Sequence, residues 1–190
     1  MRCGKPLESE REEYCMDCAA GTHLFRQGRA VFLYGGQIRG SLYRFKYHGR
    51  REYARYYAGV AADVWGQWMK SRGIEAIVPI PMYGPKQRVR GYNQAKVFAQ
   101  ALGLTIEIPV IDLVRRVRDT VPQKELDYKE RKHNLKNAFQ LQTDIVKYRR
   151  VLLADDIYTT GSTMDAVAEV LLRAGVVDVY FICISIGEGA

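Results

Sequence analysis

The fold is decided by the stretch Val151-Leu152-Leu153-Ala154-Asp155-Asp156-Ile157-Tyr158-Thr159-Thr160-Gly161-Ser162-Thr163. Its apolar beginning is short and aliphatic, as expected for a strand that is covered on both faces of a sheet. Two adjacent carboxylates follow, and then a short loop of hydroxyl side chains with one glycine. The residues after this loop place apolar side chains at helical spacing. This order predicts a buried parallel strand, a polar loop and a helix.

The acidic pair and the loop together have the chemistry to hold a phosphorylated sugar. We expect Asp155 and Asp156 at the carboxyl end of the strand, where open α/β sheets bind their ligands. The loop offers backbone N–H groups and hydroxyls at a helix N-terminus, which favours a phosphate dianion. The alternative is an ordinary helix cap, although a cap needs only one such residue. The predicted phosphate-binding residues are Thr159, Thr160, Gly161, Ser162 and Thr163.

Strand and helix patterns alternate along the rest of the chain, which favours an α/β fold. Short apolar runs are separated by amphipathic helical stretches, as in a central, mostly parallel sheet flanked by helices. With 190 residues and 47% hydrophobic residues, the chain can bury a substantial core. Residues 1–27 are polar and cysteine-bearing, so we assign them to a small N-terminal module and residues 28–190 to the main domain. Residues 82–91 are predicted to form a basic connection.

Charge and hydropathy limit the partners and the compartment. The net charge of +8 implies anionic partners, such as phosphorylated substrates, nucleic acid or an acidic protein surface. A well-solvated basic surface is the simpler alternative. No apolar run reaches the roughly 18 residues of a membrane span, and no signal-peptide pattern opens the chain. We therefore expect a cytoplasmic protein without a membrane span.

Three of the four cysteines, Cys3, Cys15 and Cys18, lie close to the N-terminus. The two-residue gap between Cys15 and Cys18 is typical of a zinc knuckle. A site of four cysteines would need another cysteine three positions before Cys3, so we expect either a start that is truncated or misassigned, or an incomplete site. The three cysteines are the candidate Zn²⁺ ligands, and His23 is either a substitute ligand or a surface residue. Cys183 lies in an apolar run and is expected to be a buried core thiol.

The acidic-pair motif resembles the signature of type I phosphoribosyltransferases. In that family the acidic pair takes the ribose hydroxyls of phosphoribosyl pyrophosphate (PRPP), and the following loop takes the 5-phosphate. The resemblance implies a type I phosphoribosyltransferase-like fold and makes Asp155 and Asp156 the candidate catalytic residues. It also implies Mg²⁺, which prefers oxygen ligands, bound together with PRPP. By the same resemblance, the turn at Pro81 and Met82 approaches the pyrophosphate.

Phosphoribosyl transfer also needs cations, because negative charge grows on the leaving pyrophosphate. The candidates are Lys86, Arg88, Arg90, Arg115 and Arg116. The basic segment from Arg118 to Lys136 is expected to be a flap that closes over PRPP, a solvated basic loop or an exposed helix of mixed charge. No residue stands out as a general base and no pocket for an acceptor is evident. Binding of PRPP without transfer is therefore the alternative to catalysis.

Nearly the whole chain also resembles the ComF family of competence-associated proteins. The residues that carry this resemblance are the N-terminal cysteines, Phe45 to Gly49, Val78 to Pro81, Arg88 to Ala95, Thr120 with Gln123, Arg131 with Asn134, Ala138-Phe139 and the acidic-pair motif. The family couples an N-terminal zinc finger to a phosphoribosyltransferase-like domain. The resemblance implies a role in natural competence and DNA uptake, with a helicase-like ATPase and single-stranded DNA as partners.

Two classes of function follow from these observations. The first is a phosphoribosyltransferase with an unknown acceptor, and the second is a non-catalytic scaffold or ligand sensor in DNA uptake. The segment from Tyr43 to Arg51 interleaves aromatic and basic residues, as proteins that bind single strands do. The alternative for that segment is a helix whose Phe45 simply belongs to the core.

Overall fold

The computed structural model describes residues 2–7, 9, 11–21, 23–119, 135, 137–143 and 147–187. The helices are α1 (Met16–Ala20), α2 (Gly36–Tyr47), α3 (Tyr53–Ser71), α4 (Gly84–Arg90), α5 (Gln94–Ile106) and α6 (Ser162–Arg173). The strands are β1 (Gln27–Leu33), β2 (Ala76–Pro79), β3 (Val114–Arg116), β4 (Phe139–Leu141), β5 (Arg150–Tyr158) and β6 (Asp178–Ile186). Within the described ranges, none of these helices combines the length and apolarity needed to cross a membrane.

The main sheet is parallel and has the strand order β1-β6-β5-β2. Beyond β2, the Ile77 N–H donates to Pro109 O over 2.8 Å, and Ile77 O accepts from Ile111 N–H over 2.9 Å. These two bonds attach a short fifth segment around Val110 to the sheet. A separate antiparallel pair is formed by β3 and β4. The predicted parallel sheet flanked by helices is thereby confirmed.

Strand β5 is covered on both faces by different sets of helices. Leu152 and Ala154 pack in a core cluster with residues of α2, α3 and α5. Val151 and Leu153 pack in a second cluster with residues of α6 and the N-terminal cysteines. Because side chains alternate along a strand, the next residue on the α2 side is Asp156. The fold therefore brings the end of α2 to the acidic pair.

Two sequence interpretations differ from the structure. Strand β5 continues through Asp155 and Asp156 to Tyr158, so the acidic pair lies inside the strand rather than after it. Residues 82–91 contain helix α4 where a connection was predicted. This helix has no buried residue and so leaves no apolar stripe in the sequence. Its local signals are a proline in the first turn and Gly91, which ends it with a φ of 86°.

Other expectations from the sequence have mixed outcomes. Cys183 is fully buried, as predicted. The division at residue 27 stays a prediction, although β1 begins there and the N-terminal cysteines share a buried cluster with Phe181 of β6. The proposed flap lies mostly outside the described residues. The residues concerned, which all fall outside, are Thr120, Gln123, Lys124, Lys129, Arg131, Lys132, Asn134 and Lys136.

Candidate functional site

The acidic pair lies near the carboxyl end of β5, beside the end of β2. The Ile80 N–H, just after β2, donates to Ala154 O over 2.9 Å. The Asp156 N–H donates to Asp155 Oδ1 over 2.8 Å. Desolvation and, next to it, the neighbouring charge of Asp156 together raise the pKa of Asp155 to about 8. At neutral pH Asp155 is therefore a neutral carboxyl that can donate a hydrogen bond.

Lys46, in the last turn of α2, forms an ion pair with Asp156. Its Nζ lies 2.8 Å from Asp156 Oδ2, and the two side chains are only 20% and 15% exposed. Burial opposes the charged form of Lys46, but the attraction of Asp156 outweighs it and raises the pKa of the ammonium. The sequence interpretation did not include Lys46 in the site. The available signal was its position four residues after the buried Leu42, which puts it on the core-facing side of α2.

The predicted phosphate loop is short and compact. Thr159, Thr160 and Gly161 join β5 to α6, whose first residue is Ser162. The hydroxyls of Thr160 and Ser162 are 3.1 Å apart. Ser162 is buried and Thr163 half-buried in the first helical turn. The five residues assigned to the phosphate are thus brought together at the N-terminus of a helix of 12 residues.

Gly161 is required by both the backbone and the packing of this loop. Its φ of 83° lies in the left-handed region. A Cβ added there would lie 2.7 Å from Tyr158 Oη and 2.8 Å from His23 Cε1. His23 is only 4% exposed, so the expectation of a surface residue was wrong. It is buried because its Nδ1 lies 2.8 Å from Oδ2 of Asp165, a residue in the first turn of α6.

The turn after β2 lies at the same edge of the sheet as the acidic pair. Pro81 and Met82 come after Ile80, the first residue beyond β2, and are half-buried. Asn93 holds this turn, because its Nδ2 donates to Ile80 O over 2.9 Å while its Oδ1 accepts from Ala95 N–H at the start of α5. The turn predicted to approach pyrophosphate is therefore fixed between β2 and α5.

A cavity of about 460 Å³ opens beside Lys46. It is lined by Lys46, Tyr47, Pro85, Lys86, Val89 and Arg90. The Arg90 guanidinium lies over the Tyr47 ring at 4.8 Å and donates to Gln94 Oε1 over 2.9 Å. Lys86 pairs with Asp119 at 2.6 Å. Of the cations predicted for pyrophosphate on α4, Lys86 and Arg90 line this cavity, and the exposed Arg88 does not.

The second pair of candidate cations, Arg115 and Arg116, differs in environment. Arg115 is exposed and donates to Gln140 Oε1 over 3.2 Å. Arg116 lies over the Phe139 ring at 5.6 Å. Burial lowers the pKa of Arg116, and the carboxylates of Asp119 and Asp155 act against this effect. Arg116 is therefore the member of this pair whose pKa responds to Asp155 once that carboxyl is ionised.

Cys3, Cys15 and Cys18 are buried, and their Sγ atoms all lie within 4.8 Å of one another. The Sγ atoms of Cys3 and Cys15 are 3.4 Å apart. A hydrogen bond from Cys3 lowers the pKa of Cys18, whereas burial raises that of Cys15. Three converging cysteine sulfurs are the donor set that Zn²⁺ prefers. Within the part of the chain that the structure describes, His23 does not join this group, and the cluster can hold a metal ion such as zinc.

The comparisons with known proteins fit this geometry. The phosphoribosyl transferase domain family matches residues 88–186, just over half of the chain. Competence protein F of Haemophilus influenzae is 44% identical over 108 residues, which cover 55% of this chain and 47% of that protein. Competence protein ComFC of Bacillus subtilis is 27% identical over 180 residues, which cover 91% and 71%. DNA utilization protein YhgH of Escherichia coli is 36% identical over 111 residues, which cover 58% and 48%.

Among solved structures, purine phosphoribosyltransferase from Pyrococcus horikoshii has a TM-score of 0.43 at 16% identity, covering 69% of this chain and 73% of that one. The chain spans about half the length of the Haemophilus and Escherichia relatives. Since the acidic pair and the phosphate loop fall inside the matched residues, the chain belongs to the phosphoribosyltransferase domain family. Within it, the relatives identify a ComF-family phosphoribosyltransferase-like protein. Lys46 and the cysteine cluster lie outside the matched segment.

Proposed function

We propose that this chain binds PRPP, accompanied by Mg²⁺, and serves natural competence and DNA uptake. The observation that carries this proposal is the acidic pair, held near the end of β5 and followed within one turn by a glycine-led helix N-terminus. The Haemophilus and Bacillus relatives are named as competence proteins, which supports the link to competence.

The acidic pair suits the two neighbouring hydroxyls of a ribose. Asp156 carries a carboxylate that accepts hydrogen bonds, while the raised pKa keeps Asp155 protonated at neutral pH, so that it can donate one. The N-terminus of α6 directly follows the loop, and the positive end of a helix favours a phosphate, so the 5-phosphate would be bound there. The hydroxyls of Thr160 and Ser162 add further donors. The end of β5 would therefore bind the sugar, and the loop that follows it would bind the phosphate.

The pyrophosphate of PRPP fits the cavity beside Lys46. Three of its lining residues are the cations Lys46, Lys86 and Arg90, and none of the residues that line it is acidic. Fixed cations in this place would stabilise the charge that develops on the leaving group. Mg²⁺ bound to the pyrophosphate oxygens would add to this neutralisation.

A titration of PRPP in the presence of Mg²⁺ tests this proposal. We expect Asp155→Asn combined with Asp156→Asn to weaken PRPP binding by more than about tenfold, because the ribose hydroxyls lose a charged acceptor. Asp112→Asn, an exposed carboxylate paired with Lys96, is the matched control and should leave the affinity unchanged. A double variant that binds PRPP as well as the wild type would contradict the assignment of the ribose. An assay of pyrophosphate release by the wild type with a panel of nucleobases distinguishes an enzyme, which releases pyrophosphate, from a ligand sensor, which does not.

The surface formed by Tyr43, Arg44, Tyr47 and His48 favours the second function, a scaffold or sensor that contacts single-stranded DNA and a helicase-like ATPase. Tyr43 and Tyr47 are 57% and 60% exposed, and their ring centroids are 5.0 Å apart. The His48 ring lies 5.4 Å from that of Tyr43. Exposed aromatic rings among cations are what sequence-tolerant binding of single strands uses. Phe45, by contrast, is fully buried and belongs to the core.

The DNA contact predicts a selective loss of affinity. Tyr43→Ala should weaken binding of a labelled oligothymidylate by about 1–3 kcal/mol, because a base loses its stacking partner. The exposed Tyr56 of α3, replaced in the same way, is the control, because its ring lies against Phe32 and Tyr57. Fluorescence anisotropy at increasing salt is the measurement, and the logarithm of the affinity should fall linearly with that of the salt concentration. Equal binding by both variants would exclude Tyr43 from the interface.

A further inference from the structure

Lys46 holds an unusual position for a lysine, because its ammonium is largely buried against a carboxylate. Lysine is almost never fully buried without a partner, and here the partner is Asp156 at 2.8 Å. A buried pair of this kind costs solvation that its attraction only partly returns. The ion pair is therefore weak evidence that Lys46 stabilises the fold. A role in ligand binding explains its position better.

The element that carries Lys46 is fixed in place. Leu42 and Phe45, earlier in the same helix, are buried in one cluster with residues of β5. Ser41 and Tyr57 join α2 to α3 through their hydroxyls at 2.6 Å. The ammonium is thus held at the acidic pair by a packed helix and does not depend on a loop.

The same ammonium also faces the cavity that contains Lys86 and Arg90. Lys46 therefore joins the place proposed for the sugar hydroxyls to the place proposed for the pyrophosphate. An ammonium has three N–H donors, so it can bond Asp156 and oxygens of both parts of the ligand at once. A divalent cation bound to PRPP would have to neutralise charge at this same junction.

We infer that Lys46 is the resident cation between the sugar and pyrophosphate sites, so that PRPP binding does not require Mg²⁺. Mg²⁺ bound with PRPP then adds to charge neutralisation without being needed for affinity. This inference rests on the proposed PRPP function and makes Lys46 a residue that decides the metal requirement of the site. The property that tests it is the affinity for PRPP, which can be measured without turnover.

The test is calorimetric titration of PRPP into the full chain, once with excess Mg²⁺ and once with EDTA. For the wild type we expect the two dissociation constants to agree within about threefold, a difference below 1 kcal/mol. Lys46→Met should weaken binding in EDTA by more than about tenfold, and Mg²⁺ should restore a large part of the loss. Lys46→Arg keeps the positive charge and should retain binding in EDTA.

Lys96→Met is the matched control, because it removes an exposed lysine that pairs with Asp112 away from the site. It should bind like the wild type in both buffers. Thermal melts of all variants establish that they are folded, and Lys46→Arg provides a folded comparison should the methionine variant melt early. PRPP binding by the wild type only in Mg²⁺ would overturn the inference and leave the proposed function intact. An equal response of wild type and Lys46→Met to EDTA would overturn it as well, and no PRPP binding in either buffer would overturn both.

Discussion

At pH values above about 8, Asp155→Asn should raise the free energy of unfolding, although it alters a residue of the candidate site. Asp155 is half-buried, and its desolvation together with the charge of Asp156 raises its pKa to about 8. The folded protein thus keeps a proton on Asp155 up to about pH 8, whereas the unfolded chain releases it near pH 4. Between these values the folded state holds more protons than the unfolded state. The free energy of unfolding of the wild type therefore falls as the pH rises through this window.

Asparagine escapes this loss because it has no proton to release. Its oxygen can still accept from the Asp156 N–H, as that of Asp155 does at 2.8 Å. A tenfold difference in proton affinity corresponds to about 1.4 kcal/mol, and the lost attraction to Lys46 offsets part of the gain. We expect a gain of at least about 2 kcal/mol near pH 9 and almost none near pH 4.

Urea denaturation between about pH 4 and pH 9 measures this difference. Asp112→Asn serves as the control, because its exposed carboxylate should change the free energy of unfolding by no more than about 0.5 kcal/mol. A variant at Asp155 that is less stable than the wild type near pH 9, or a difference that stays constant with pH, would contradict the raised pKa. The expected result would mean that Asp155 is retained at a cost in stability, as active-site residues often are.

The sheet, the acidic pair and the phosphate loop could be predicted from the sequence, because each depends on the local order of residues along the chain. The apolar run at the start of β5 needs burial on both faces, and the parallel sheet supplies it. The predicted end of that strand was wrong, because the apolar pattern stops at Ala154 while the backbone ladder continues to Tyr158. Asp155 and Asp156 break the pattern because this part of the strand faces a polar site rather than the core. A pattern of apolar side chains shows which residues are buried. It shows only indirectly which backbone groups are hydrogen-bonded in a strand.

The contacts that complete the site depend on tertiary structure that no local pattern contains. His23 is buried by Asp165, which lies 142 residues further along the chain. Lys46 meets Asp156 only because α2 packs on the same face of β5 as Leu152. Helix α4 was missed for a different reason, since it buries no residue and has no apolar stripe. The sequence alone therefore does not predict the contacts of charged side chains near the carboxyl ends of the strands.

Gly161→Ala should be strongly destabilising and should also damage the phosphate loop. The backbone at this position has a φ of 83°, which costs a residue with a Cβ about 1–2 kcal/mol. The new methyl group would lie 2.7 Å from Tyr158 Oη and 2.8 Å from His23 Cε1. Tyr158 cannot move easily, because its ring stacks on that of Phe181 at 4.7 Å. His23 stacks on Phe25 at 4.5 Å and is also held by Asp165.

Gly175→Ala separates the two causes of this loss. Gly175 has a φ of 98°, also in the left-handed region, but nothing lies within 4 Å of the position of an added Cβ. The Gly175→Ala variant should therefore lose only about 1–2 kcal/mol of stability, from the backbone, and should keep PRPP binding. Gly161→Ala adds overpacking worth about 1–3 kcal/mol, so its total loss should be about 2–5 kcal/mol and larger than that of Gly175→Ala. Urea denaturation and PRPP titration of both variants are the measurements. Equal losses of stability would show that Tyr158 and His23 yield to the methyl group, and intact PRPP binding by folded Gly161→Ala would remove this loop from the phosphate site.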